Sequence, residues 1–187
     1  ATVYVEDASI TWAGASADAP ATAPKGAVSI DLTGHSLCPG FFDCHVHLSL
    51  PGTKGSPLEL AMHPQSYLHF QLIDRLRTTL HNGVTTVRDL MGIDTGVREA
   101  VAAGLIEGPR LLVAINMLSQ TAGHSDFRLP SGIDLTPYVG AALVDSVDEA
   151  IAVINRDGSA HTDVIVTADE AQAVDRVVLH ERFRQWS

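Results

Sequence analysis

The sequence predicts an α/β protein organised around a parallel sheet, and three observations carry that expectation. Apolar, β-branched runs alternate with amphipathic stretches, strand then helix, four times over residues 38–187. Helix starts are marked by Ser/Thr-x-x-Glu patterns and helix ends by glycine. Hydrophobic residues make up 45% of the 187 and charged residues 18%, enough apolar surface to build a core without disulfides and too little charge for a disordered chain. A complete eight-stranded α/β barrel takes roughly 250 residues, so the chain falls short of one.

The elements follow in order. Residues 1–12 read as a hairpin of two short strands turning at Glu6-Asp7. Residues 13–27, rich in Ala, Pro, Gly and Ser, form a loop. Ala27 to Leu32 alternates as a third strand and Thr33-Gly34-His35 is a turn, so residues 1–37 make a small β unit too short to bury much alone. The pattern changes at Cys38-Pro39-Gly40. Phe41 to Leu50 reads as a buried strand interrupted by Asp43, His45 and His47, and a Gly/Pro-rich loop follows over 51–57. From Pro64 to Asn82 a helix places Leu68, Leu72, Ile73, Leu76 and Leu80 on one stripe, stopped by Gly83. Val84 to Val87 is a strand, 95–104 a short helix closed by Gly104, and Arg110 to Ile115 a buried strand before a long polar loop through 140. Ser146-Val147-Asp148-Glu149 opens a helix to about Asp157. Asp163 to Thr167 reads as a fourth strand, and Thr167-Ala168-Asp169-Glu170 opens a last helix carrying Val174, Val178 and Phe183.

Charge and composition exclude several functions. Twelve Lys plus Arg against 22 Asp plus Glu gives a formal charge of −10, without the basic face that sequence-independent nucleic-acid binding needs. No apolar run approaches the ~20 residues of a membrane span. The first residues lack the basic start of a signal peptide and the initiating Met is missing, so the expectation is a trimmed or partial chain. Cys38 and Cys44 are the only cysteines, too few for a disulfide framework or a four-Cys zinc cluster. A soluble cytoplasmic protein is expected.

The sharpest chemical feature is Asp43-Cys44-His45-Val46-His47. A strand repeats every two residues, so Asp43, His45 and His47 share one face, where two imidazoles about 7 Å apart can converge on a cation. Ligand sites of parallel sheets lie at the C-terminal strand ends, where this pair sits. Asp43 reads as a carboxylate that orients a histidine, and Cys44, on the opposite face, as a small packed hydrophobe.

Leu37 to Leu48, LCPGFFDCHVHL, resembles the first barrel strand of the amidohydrolase superfamily, whose signature is PG-x-x-D-x-H-x-H. His81 to Leu90, HNGVTTVRDL, resembles that family's second strand. Gly108-Pro109-Arg110 and Ser119 to Asp126, SQTAGHSD, are similar to the GPR and SQTGGHGD blocks of its imidazolonepropionase- and prolidase-like branch. The resemblance covers roughly residues 1–145 in order. It implies a partial (β/α)8 TIM-type barrel of about four βα units over residues 38–187, preceded by an incomplete small β-sandwich over 1–37. It also implies hydrolysis of C–N bonds in a small amide such as a dipeptide or acyl-amino acid, by water that zinc activates. His45 and His47 match two metal ligands and His124 a loop histidine near the substrate; no residue is assigned as catalytic. Arg88 and Asp89 match a structural strand-end pair.

The tail departs from the family pattern. Active binuclear members carry a carboxylated lysine after the fourth strand, but the chain's lysines are Lys25 and Lys54, and Val166 stands at the lysine position. His180 falls within a helix, and Asp169 reads either as a third ligand or as part of its capping box. Two readings follow: part of a metal-dependent amidohydrolase, completed by a second copy or a completing chain, or an inactive truncated relative that acts as a binding module.

Overall fold

The computed structural model describes residues 1–20, 26–50 and 57–157. The chain divides into two compact units, Ala1–Cys38 and Pro39–Ser187.

In the first unit, β1 (Thr2–Glu6) and β2 (Ser9–Gly14) pair antiparallel, with Tyr4 opposite Trp12. Their rings lie 5.7 Å apart. Asp7 turns the hairpin at φ 53°, a left-handed conformation that a short polar side chain tolerates. The third strand expected over 27–32 does not form. Val28 and Ile30 are 87% and 74% exposed, and no strand among the described residues takes up their backbone groups. Alternation gives a segment a face, but a strand exists only within a ladder. What the segment does form is a turn: Asp31 Oδ1 accepts from the Thr33 N–H at 2.9 Å and from its hydroxyl at 2.6 Å.

The second unit is mixed α/β with parallel sheets. Its elements are β3 (Phe41–Val46), α1 (Pro57–Met62), α2 (Gln65–His81), β4 (Val84–Asp89), α3 (Thr95–Ala102), β5 (Arg110–Val113), β6 (Met117–Ser119), β7 (Ala141–Leu143) and α4 (Val147–Asp157). β3, β4 and β5 form a parallel sheet in that order, with α2 and α3 in the crossovers; β6 and β7 form a separate parallel pair. Parallel neighbours need such crossovers because a tight turn reverses direction. The core lies where the helices meet the sheet: Leu72 and Leu76 of α2, Val87 of β4, Ile93, Val97 of α3, and Leu111 and Val113 of β5. Val46 and Leu48 pack onto it. A second cluster, Leu60, Met91 and Val139, joins α1 to the single helical turn Thr136–Val139. Gly140 closes that turn at φ 68°, and a Cβ there would lie 2.9 Å from the Gly92 nitrogen, so two loops meet backbone against backbone.

Three expectations are corrected. The strand beginning at Phe41 ends at Val46, and among the described residues it lies at the sheet edge with a neighbour on one side, with Phe41 57% and Phe42 71% exposed. The polar loop before residue 140 contains β6 and a helical turn, and β7 follows it; three-residue strands are too short to show a period. Helix α1 precedes the expected helix. The capping box of α4 forms one residue displaced: Ser146 Oγ accepts from the Glu149 N–H at 3.2 Å, while Glu149 Oε2 accepts from Asp145 rather than Ser146, at 2.8 Å. The expected fourth strand at 163–167, the last helix and most of the 51–57 loop lie outside the described residues. Among the described residues no helix is long and apolar enough to cross a membrane.

Candidate functional site

The site begins at the C-terminal end of β3. Val46 and Leu48 turn into the core, so the alternation sends His45 and His47 to the other face. There their rings meet edge to face with centroids 5.2 Å apart. His45 is exposed and His47 half-buried. The Nδ1 of His47 is buried and has no hydrogen-bond partner among the described residues. The imidazole of His47 is less basic than an ordinary histidine, first because burial disfavours the cation, then because His45 and His124 would repel it. His124, from the loop after β6, is thus near enough to act on His47.

One long-range anchor and several local bonds order the loop carrying His124. Asp145, just past β7, accepts from the Thr121 N–H at 2.8 Å and from its hydroxyl at 2.7 Å. Asp126 accepts from the Ala122 N–H at 2.7 Å and pairs with the Arg128 guanidinium through Nε at 2.8 Å and through Nη2. Ser125, fully covered, donates its N–H to Ser119 Oγ at 3.2 Å. Both carboxyls lie below the ordinary range: Asp126 chiefly through Arg128, Asp145 through Thr121.

Other expected residues take different places. Asp43 does not orient a ring; its Oδ1 accepts from the backbone N–H of His45 at 3.1 Å and stiffens the strand. Cys44 is exposed rather than packed although it shares a face with Val46, and Cys38 is exposed as well. Arg88 buries its Nε without a partner among the described residues. Asp89 is fully buried, with Oδ2 accepting from the Leu48 N–H at 2.7 Å and Oδ1 from the Met91 N–H at 3.1 Å. Val166, Asp169 and His180 lie outside the described residues.

Two residues that the motifs did not single out also shape the site. Asp145 is one; it follows β7, a strand too short to read from sequence, so no pattern marked it. Arg75 is the other, with Nη1 donating to the carbonyls of Leu48 and Ser49 at 2.9 and 3.0 Å. Gln71, one turn earlier, braces it, with Oε1 accepting from Nη2 at 3.1 Å.

The donor chemistry suits a borderline cation such as zinc: two imidazoles on one face, one with a buried nitrogen free to coordinate. Among the described residues no group of three His, Cys, Asp or Glu is placed to hold a metal.

Comparison with known proteins bears on the same stretch. The family model described as the amidohydrolase family matches residues 36–180. An ochratoxinase of Aspergillus niger is 35% identical over 145 residues, covering 74% of this chain and 29% of that protein. An imidazolonepropionase of Idiomarina loihiensis is 42% identical over 67 residues, covering 36% of this chain and 16% of its own length. The crystal structure of a prolidase complexed with N-methylphosphonate-L-proline superposes with a TM-score of 0.70 at 30% identity, over 83% of this chain and 38% of that one. The chain therefore spans between 16% and 38% of the length of these relatives. With the family match running from before β3 past the end of α4, the chain belongs to the amidohydrolase family, to whose N-terminal part it corresponds.

Proposed function

We propose that the chain is part of a metal-dependent amidohydrolase that cleaves C–N bonds in small amides such as dipeptides or acyl-amino acids. The observation that carries this reading is the His45–His47 pair: two rings in contact at a strand end, one with an unpartnered buried nitrogen, inside the matched region. Names borne by similar proteins, a prolidase and an ochratoxinase among them, point the same way. His45 and His47 would hold a zinc ion. When bound, such an ion polarises an amide carbonyl and lowers the pKa of a coordinated water to about 7. The chain's own residues supply the rest of the setting. Burial, and after it repulsion from His45 and His124, favours the neutral His47 ring, the form that coordinates. Asp43 holds the backbone at His45, the first of the two ligands. His124, on a loop held by Asp145 and Asp126, faces the substrate.

The architecture that fits this reading is the N-terminal half of a TIM-type barrel over residues 38–187 with a partial β-sandwich over 1–37. The remaining strands would come from further polypeptide, whether continuous with these residues, a second copy or a completing chain. Two exposed free thiols suit a reducing cytoplasm. Metal content and oligomeric mass of the purified chain, repeated for His45→Ala and His47→Ala, test the proposal. The expected result is bound zinc that each substitution removes; equal metal content in all three would overturn it.

A further inference from the structure

The backbone immediately after His47 is held by two side chains from distant elements, and we infer that Arg75 and Asp89 are positioning residues that set the angle at which the His45–His47 pair meets its cation. The inference rests on the metal reading of that pair. The peptide unit joining His47 to Leu48 is fixed at both ends: the Leu50 N–H donates to the His47 carbonyl at 3.1 Å, and the Leu48 N–H donates to Asp89 Oδ2 at 2.7 Å. The next carbonyl, of Leu48, accepts from Arg75 Nη1 at 2.9 Å, and the same nitrogen reaches Ser49 at 3.0 Å. Two consecutive peptide planes are therefore locked, one by β4 and the other by α2.

Each anchor is itself braced. Arg75 is steadied by Gln71, and Asp89 is fully buried with its second oxygen on the Met91 N–H. Two further bonds tie the same segment to the end of β4, Leu90 N–H to the Val46 carbonyl at 3.1 Å and Ser49 Oγ to the Met91 carbonyl at 3.2 Å. The geometry matters because His47 lies one residue beyond the last strand residue, Val46. Without a ladder, ψ of His47 is free, and a small rotation there swings its ring relative to His45. Fixing the Leu48 N–H fixes that ψ. The Arg75 bonds are charge-assisted, about twice as strong as neutral ones, and with the buried Asp89 bond they take the place of the missing ladder.

The test compares the full chain with Arg75→Met, Arg75→Lys, Asp89→Asn, His45→Ala and, as a stability control away from the clamp, Val97→Ala. Zinc affinity is measured by calorimetry, and exchange of the Leu48 amide by NMR on the metal-free protein. Arg75→Met is expected to weaken zinc binding on the order of tenfold and to speed Leu48 exchange. Arg75→Lys should recover part of both, and Asp89→Asn should speed exchange as well. Val97→Ala should lower stability without changing zinc affinity. Unchanged zinc affinity in Arg75→Met while His45→Ala loses the metal overturns the positioning role alone, as does equal weakening in Val97→Ala. If the wild type takes up no more zinc than His45→Ala, the metal reading falls and the positioning role with it.

Discussion

Asp89 is an acid whose proton is coupled to folding. Burial pushes its pKa from 3.8 up to about 7, against the pull of the Leu48, Met91 and Ile93 N–H groups. Between those values the folded chain keeps a proton that the unfolded chain has lost. Stability therefore falls as pH rises from about 4 to about 7 and levels off above, by up to about 4 kcal/mol over the whole window. His47 works in the opposite sense, since its lowered basicity makes stability fall as pH drops below its ordinary 6.5. Comparing wild type with Asp89→Asn by urea unfolding at about pH 5 and about pH 7.5 isolates the carboxyl. The wild type should lose more stability across that step; parallel losses would count against a retained proton. A second residue carries backbone strain. The family block reads Gly-Gly where this chain has Ala122-Gly123, and Ala122 sits at φ 59°. An L-residue there costs roughly 1–2 kcal/mol, partly offset by the smaller entropy of its unfolded chain. Ala122→Gly should raise stability by about 0.5–1 kcal/mol, seen as a higher denaturation midpoint; a lower one would mean that the loop does not hold Ala122 left-handed.

Elements whose side chains repeat over three turns or more, or that end on a clear stop, were readable from sequence. Helix α2 is the best case: the stripe through Leu72 and Leu76 is the one it buries. The cost of interrupting it follows from packing. Leu76 is fully covered, and a Cβ on Gly108 would come within 3.1 Å of its own Cβ, so the site has no slack. Leu76→Ala should cost about 2–5 kcal/mol, and the half-buried Ile73→Ala distinctly less, with equal denaturant slopes in both. Comparable losses would mean that the stripe does not face the core as described. Elements defined by partners rather than by period were not readable. The 27–32 segment alternates correctly yet has no ladder to join, whereas β6 and β7 have ladders but only three residues each. The candidate site divides in the same way. His45 and His47 are two residues apart, and strand geometry alone puts them on one face. Arg75, 28 residues from His47, and Asp145, 21 from His124, act on the backbone of distant segments, which no local spacing reveals.

For the whole molecule, the deciding quantity is the number of ligands that a hydrolytic metal needs. A catalytic zinc takes three protein ligands and keeps a position for water. The described residues bring together His45 and His47, with His124 beside them, and this chain covers only 29% of the ochratoxinase and 38% of the prolidase. Among the described residues the β3–β4–β5 sheet also ends in two unpaired edges, β3 and β5, and β3 exposes Phe41 and Phe42. Apolar open edges of this kind favour pairing with further chain. The expected behaviour is that the purified chain hydrolyses an acyl-amino acid slowly or not at all with zinc present. A polypeptide carrying the remaining family strands should raise that rate and shift the chain to a larger species in sedimentation. Phe42→Lys, placed on the exposed edge and away from the core, should suppress both the rate gain and the shift while leaving the monomer's circular dichroism unchanged. Full activity of the isolated chain, unaffected by the added polypeptide, would show that the two imidazoles find their remaining ligand within this sequence.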